Sequence, residues 1–561
     1  MIRAILAKRK LVSVLLFMLG IGILTLQWPG VFVIAASAAS LSGVVKVDSS
    51  KALRGARITI DSGQESVSRF SDQAGRFKIE GLKPGSYKVT ASAWGFEEKS
   101  ENLELTKDVE SNFTLAPHWN VDRLSTADWL SFLPQNEETL TLKATCVRCH
   151  NLSYMVRNRG LLKPQWANII QYMMQMRPTI TEFKMSYPGE SASRIGSILE
   201  KYLGPNSSLP TQEQVQHRDI SDAALRATYR EYKPLTQAHI HSVLPDPQGK
   251  YVWFSYFIFG GTVPEAKFGR FEIATGEMQD FQPPIGETFS TMTVSKDGKN
   301  LWFTGDGKLN KMNVLSSEYS EFAPPHDIVI PAGSGRTMPK GEDSAGNIWL
   351  VGTTIVKFDP RTEQFEEFEI PKVSLTPEEH QRSLGMNLGN TRKEDQTEFS
   401  SIAYGLAVDS KDNIWYNSYD VGYIARLNPK TKETKMYRVP NDAIMIKAIT
   451  VGPDDMVWFS CFARGTLFKL DPDTGKIEEY QPPNPHAAIY TAVVDSKGDV
   501  WLSDFAGSQM TRFNPATKEF TEYPLPAADG MVRFFGLDPQ DRVWYVDFET
   551  GIIGVLDPGD V

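Results

Sequence analysis

Apolar residues follow different spacings in successive stretches of this 561-residue chain. Over residues 41–116 apolar and polar side chains alternate, as in Ala56-Arg57-Ile58-Thr59-Ile60 and Tyr87-Lys88-Val89-Thr90-Ala91, with turn chemistry at Asp72-Gln73-Ala74-Gly75 and Lys83-Pro84-Gly85. A period of two places every second side chain on one face of a strand, so this stretch predicts a small all-β sandwich. Over 127–205 the spacing becomes helical, around Trp166-Ala167-Asn168-Ile169-Ile170-Gln171-Tyr172-Met173 and again over 192–203, and predicts a small α-helical domain. Gly204-Pro205-Asn206-Ser207-Ser208-Leu209-Pro210 reads as the linker that follows.

From 227 to 561 a turn followed by an aliphatic residue and Trp recurs at Trp253, Trp302, Trp349, Trp415, Trp458, Trp501 and Trp544, at intervals of 49, 47, 66, 43, 43 and 43 residues. That is the length of one four-stranded propeller blade, and seven Trp predict seven blades. The last unit ends at Leu556-Asp557-Pro558 without an outer strand, while Ala227-Thr228-Tyr229-Arg230-Glu231-Tyr232-Lys233-Pro234 resembles the outer strand Phe520-Thr521-Glu522-Tyr523-Pro524. The early strand is therefore expected to complete the seventh blade and clasp the ring. The fold class expected is multidomain and mainly β: sandwich, helical domain, seven-bladed propeller.

The first 38 residues change the compartment. Lys8-Arg9-Lys10 precedes an apolar run over 11–36 that ends in Ala36-Ser37-Ala38, the layout of a cleaved export signal, with an uncleaved membrane anchor as the alternative. The protein is expected to be exported, periplasmic or otherwise extracytoplasmic. Net charge is −9, and the leader holds four bases and no acid, so the remainder carries −13, a poor charge for binding nucleic acid.

Cys146-Val147-Arg148-Cys149-His150 has the spacing of c-type haem attachment, with two thiols for the vinyl groups and an imidazole for the iron. With only 3 Cys and 8 His in the chain, chance yields such a run on the order of 2 times in ten thousand. The second axial ligand is sought among Met173, Met174, Met176 and Met185. Met185 precedes Pro188-Gly189 and a terminal helix carrying Leu199, Tyr202 and Leu203, an order that resembles class I cytochromes c; the resemblance implies Met185 as the ligand, with Met176 as the alternative.

Two further resemblances cover other stretches. The run through Gly75, Phe77, Ile79, Gly81-Leu82, Pro84-Gly85, Tyr87, Val89 and Gly95-Phe96 resembles the carboxypeptidase regulatory-like domain, which implies a non-catalytic spacer. Ala407-Val408-Asp409-Ser410-Lys411-Asp412-Asn413-Ile414-Trp415 and Ile424-Ala425-Arg426-Leu427-Asn428-Pro429 resemble the repeats of virginiamycin B lyase, a seven-bladed streptogramin-opening enzyme. That family implies His at inner-strand starts and a Glu after a blade Trp that holds magnesium. The strand-start positions here are His241, Ser290, Met338, Tyr404, Lys447, Tyr490 and Arg533, so one His remains. Three residues after each Trp, Asp504 and Asp547 are the acids standing where the metal Glu is implied, and a metal ion on the propeller is the further cofactor to be tested.

Independently of the family, His239, His241, His326, His380 and His486 fall in connections expected on one face of the propeller, and the extra residues about 376–401 are expected to form a lid there. His241, Tyr404, Lys447, Tyr490 and Arg533 should converge at one mouth, where two cations and two phenols favour a small anionic or phenolic ligand. The leading expectation is an exported mono-haem c-type cytochrome fused to a propeller that binds or oxidises a small substrate and passes electrons to a partner protein. A streptogramin lyase-like enzyme and a non-enzymatic electron-transfer or sensing protein are the alternatives.

Overall fold

The turn residue three or four places before each repeat Trp has left-handed backbone in all seven units. Asp412, Asp455 and Asp541 have φ of 61°, 59° and 58°, and Gly249, Gly298, Gly346 and Gly498 are also positive. Glycine enters this region without steric cost and Asp with little, which explains why these two types occupy the position. Where it is Asp, the carboxylate also ties neighbouring blades: Asp412 accepts from Ser344 N at 2.8 Å and Ser344 Oγ at 2.6 Å, and Asp455 and Asp541 accept in the same way from Ser410 and Ser496. Each Trp is buried, at most 2% exposed. Trp349, Trp415, Trp501 and Trp544 donate Nε1 to Asp343, Asp409, Asp495 and Asp538, six residues earlier, at 2.8–3.1 Å.

These contacts come from a computed structural model that describes residues 39–47, 51–147, 150–175, 189–215, 219–257, 267–286, 291–325, 338–377, 398–399, 403–418, 421–440 and 445–559. Six antiparallel four-stranded sheets follow one another from His239 to Pro524 and form blades 1 to 6. Blade 7 is Val532–Leu537, Val543–Asp547 and Ile552–Asp557, and Thr228–Tyr232 adds the outer strand, with Gly554 opposite Glu231. The expected clasp is present.

The clasp strand has a second partner on its other edge. Glu65–Phe70 of the sandwich pairs with it, Ser66 opposite Glu231, so blade 7 continues through Arg57–Asp61, Gly85–Ser92 and Lys99–Leu105 as one eight-stranded sheet. The sandwich's other sheet is built on Ala39–Lys46 and Arg76–Leu82, and Leu41, Ile58, Ile60, Ile79, Val89 and Phe113 form the core between the two.

Helices occupy Thr126–Phe132, Glu137–Leu142, Ser153–Arg157, Lys163–Gln175 and Gly189–Leu203, with a π-helical turn over Lys143–Val147. Ser125 and Asp128 make a reciprocal capping box at the first helix. The helical spacing over 127–205 predicts a small α-helical domain, but a distinct one is not seen. Instead Trp129, Leu130, Val147, Trp166 and Leu199 belong to one buried cluster with Phe462, Tyr490, Phe505 and Phe548 of the propeller. Among the described residues no helix is long and apolar enough to cross a membrane. The expected leader lies outside the described residues, as do His326, His380 and most of the expected lid; the base of that insertion is closed by Val373 pairing with Phe399.

Candidate functional site at the propeller mouth

The five strand-start residues come together. Tyr404 Oη and Tyr490 Oη are 2.6 Å apart, and Lys447 Nζ lies 4.0 Å from the centre of the Tyr490 ring and 5.3 Å from that of Tyr404. Arg533 stacks 4.0 Å over Phe548 and 5.9 Å from both Tyr490 and Phe505. The His241 ring packs against Phe257, Phe534 and Phe548 at 5.1–6.2 Å. Four of the five are nearly enclosed: His241, Lys447 and Arg533 are 4–5% exposed and Tyr490 2%. Removing two cations from water is costly, and the surrounding ring faces offset part of that cost through their quadrupoles.

Local backbone irregularity aims these side chains. The inner strands of blades 1, 5, 6 and 7 lose register between Ile240 and Ser242, Ile446 and Ile449, Ile489 and Ala492, and Val532 and Phe535, which brackets His241, Lys447, Tyr490 and Arg533. A bulge of this kind turns a side chain out of the strand's alternation. Buried polar groups two residues after the Trp hold these bends. Asn417 accepts from Tyr404 N and Gly405 N at 2.8 Å and donates to Ile446 O and Lys447 O at 2.6 and 3.1 Å; Ser503 Oγ donates to Arg533 O at 3.3 Å. These polar residues were not singled out from sequence, nor were Phe257, Phe462, Phe505 and Phe548, which stand four residues after Trp253, Trp458, Trp501 and Trp544. The recurring Trp-x-x-x-Phe was the available signal.

Asp504 and Asp547, the acids at the expected metal position, both accept backbone hydrogen bonds. Asp504 accepts from Asn484 Nδ2 at 2.7 Å and from Ala488 N and Gly507 N at 3.0 Å, pinning the loop below blade 6. Asp547 accepts from Met531 N and Glu549 N at 3.1 Å, and burial pushes its carboxyl up to about 6. Among the described residues no three His, Cys, Asp or Glu side chains are grouped to hold a metal ion. His239 does not join a metal pair with His241: its Nδ1 is 2.8 Å from Phe548 O and its ring stacks on Phe548.

The helical region covers this mouth. Lys143 Nζ donates to Ala487 O at 2.6 Å, Ala127 N to Ala506 O at 2.8 Å and Asn151 Nδ2 to Asp529 O at 2.6 Å, and Arg157 pairs with Asp529 at 3.2 Å. Burial lowers Lys143 to about 8, with the Asp504 charge opposing the shift. Lys143 opens the turn that carries Cys146, which is half-buried against the shared cluster. His150 N donates to Cys146 O at 3.4 Å, and His150 Nδ1 lies 3.1 Å from Asn151 O. Cys149 and Met185 lie outside the described residues.

Comparison with known families matches two stretches of the chain. Residues 390–560 match the virginiamycin B lyase family, and residues 40–116 match the carboxypeptidase regulatory-like domain. The propeller is virginiamycin B lyase-like. Similar solved structures include a selenomethionine-substituted virginiamycin B lyase from Staphylococcus aureus, at 18% identity and TM-score 0.47 over 59% of this chain and 99% of that one. A streptogramin B lyase structure aligns at 19% identity and TM-score 0.48, covering 60% of this chain and 99% of its own. A catalytically inactive virginiamycin B lyase from Staphylococcus aureus with quinupristin aligns at 18% and 0.47, with 59% and 99% covered. No curated protein matches the chain.

Proposed function

We propose that the chain is an exported mono-haem c-type cytochrome whose helical region serves a propeller that binds or oxidises a small anionic or phenolic compound. The observation that carries this reading is the place of the C-x-x-C-H segment: Cys146 and Val147 share one apolar cluster with Tyr490, Phe505 and Phe548 of the mouth. The residues present fit a covalent haem. Cys146 offers a half-buried thiol. The Asn151 carbonyl beside His150 Nδ1 is the kind of partner that orients an imidazole for ligation through Nε2. Helix Lys163–Gln175 leaves Ile169, Ile170 and Met173 half-buried and Tyr172 61% exposed, apolar surface of the sort a porphyrin covers. Cys149 completes the attachment and Met185, or Met176, the axial set.

When bound, the haem supplies a one-electron acceptor, and a partner protein takes the electron onward. The chain's own residues prepare the substrate. Lys447 and Arg533 neutralise a carboxylate or phenolate, the Tyr404–Tyr490 pair offers hydroxyls and ring faces, and the helical region keeps water out. A second reading, a streptogramin lyase-like carbon–oxygen lyase, is favoured by the family match over 390–560 and by His241 at the mouth, where the imidazole would be the base.

The test is anaerobic mixing of the oxidised full-length protein with a panel of phenolic acids while the visible spectrum is followed. At least one compound should raise the reduced haem band, and Lys447→Ala or Arg533→Ala should shift its half-saturating concentration upward about tenfold or more. If no compound does so, and both variants chiefly lower the melting temperature, the mouth is a structural plug.

A further inference from the structure

A cavity of about 400 Å³ lies away from the propeller mouth, where sandwich, helical region and blade 6 meet. Its wall is basic and aromatic: Arg54, Arg57, Arg123 and His118 line it with Trp94 and Trp119, and Asp219 is the one acid in the lining. Arg54 is already committed, to Asp222 at 2.9 Å and to the Ile220 carbonyl. Arg123 reaches Glu98 only at 3.9 Å. Arg57 Nε is enclosed and has no hydrogen-bond partner among the described residues.

The charge on Arg57 is poorly balanced. Burial and then the Arg123 charge pull its pKa down, and Glu231 is the carboxyl that opposes this most. Glu231 is itself pushed up to about 7 by burial and accepts a hydrogen bond from Tyr545 Oη at 2.9 Å, so it is a partial counter-charge at neutral pH. Two guanidiniums lining one partly open cavity with an incomplete set of carboxylates favour an added anion. The aromatic wall is fixed in place. Trp94 and Trp119 meet edge to face at 5.1 Å, and Trp119 Nε1 donates to Pro210 O at 2.8 Å. Next to Trp94, Gly95 has φ of +77°, a backbone conformation that L side chains rarely adopt, so glycine suits the bend that carries the indole.

We propose that this cavity is a binding site for a small carboxylate carried on a flat ring, with Arg57 and Arg123 taking the carboxylate and Trp94 and Trp119 the ring face. The volume suits one such molecule. The ring is either aromatic or a pyranose, and the two are separated by experiment.

Isothermal titration of the full-length protein with benzoate and with glucuronate provides the test. One of the two should bind at a site that is at least tenfold weaker in Arg57→Gln and in Arg123→Gln; any binding that Lys447→Ala removes belongs to the mouth and is subtracted. Binding of benzoate marks an aromatic ligand and binding of glucuronate a sugar acid. Arg123 is partly exposed, so Arg123→Gln keeps the test decisive if Arg57→Gln does not fold. Absence of binding by either probe, binding indifferent to both arginine variants, or binding lost only in Lys447→Ala would overturn the proposal.

Discussion

Asp455 does two jobs with one side chain. Its backbone must be left-handed, at φ 59°, for blade 5 to turn, and its carboxylate accepts from Ser410 N and Oγ in blade 4, which holds its pKa below the usual carboxylate value. The two roles separate by substitution. Asp455→Gly keeps the turn and loses the tie, whereas Asp455→Ala loses both; the alanine variant should be less stable than the glycine variant by about 1 kcal/mol in denaturant titration. Equal stabilities would mean that the left-handed turn costs nothing here. The mouth residues were legible by a similar argument from position, because His241, Lys447, Tyr490 and Arg533 stand at equivalent places before their Trp. Asn417 and Ser503 were not, since a lone buried polar residue in a strand looks like any other until the carbonyl it holds is known.

Among elements, the repeat Trp and its turn announce a blade, but nothing in the alternation announces a bulge. The register shifts around Lys447, Tyr490 and Arg533 arise from tertiary constraint at the crowded centre of the ring, where neighbouring inner strands converge. The clasp was readable because its sequence repeats an outer strand; its pairing with Glu65–Phe70 was not, because edge pairing leaves no period of its own. Glu231 sits in that doubly paired strand and makes it sensitive to pH. An unfolded Glu releases its proton near 4.5, while the buried group holds it to about 7, so the folded state binds the proton more tightly. This contribution to stability is full below about 4.5 and is lost as pH rises through 7. Glu231→Gln cannot ionise, so its melting temperature should gain on that of the natural chain between pH 5 and pH 8. A constant difference across that range would show that Glu231 does not titrate in the fold.

At the scale of the whole molecule, the helical region and the propeller are joined by a common core and by polar contacts from Lys143, Asn151 and Arg157. The sequence marks both parts but not their contact, because helical periodicity identifies a buried face without naming what covers it. That contact is what turns an attachment motif and a ligand-binding mouth into one proposed device. Whether Cys146, Cys149 and His150 carry a haem beside the mouth is read from the absorption spectrum of the denatured, acid–acetone-washed full-length protein in alkaline pyridine. Covalent attachment gives the c-type haemochrome spectrum with one haem per chain, absent from the Cys146→Ala, Cys149→Ala double variant. A washed chain with no haem, or a double variant that retains it, would show that these residues do not attach one.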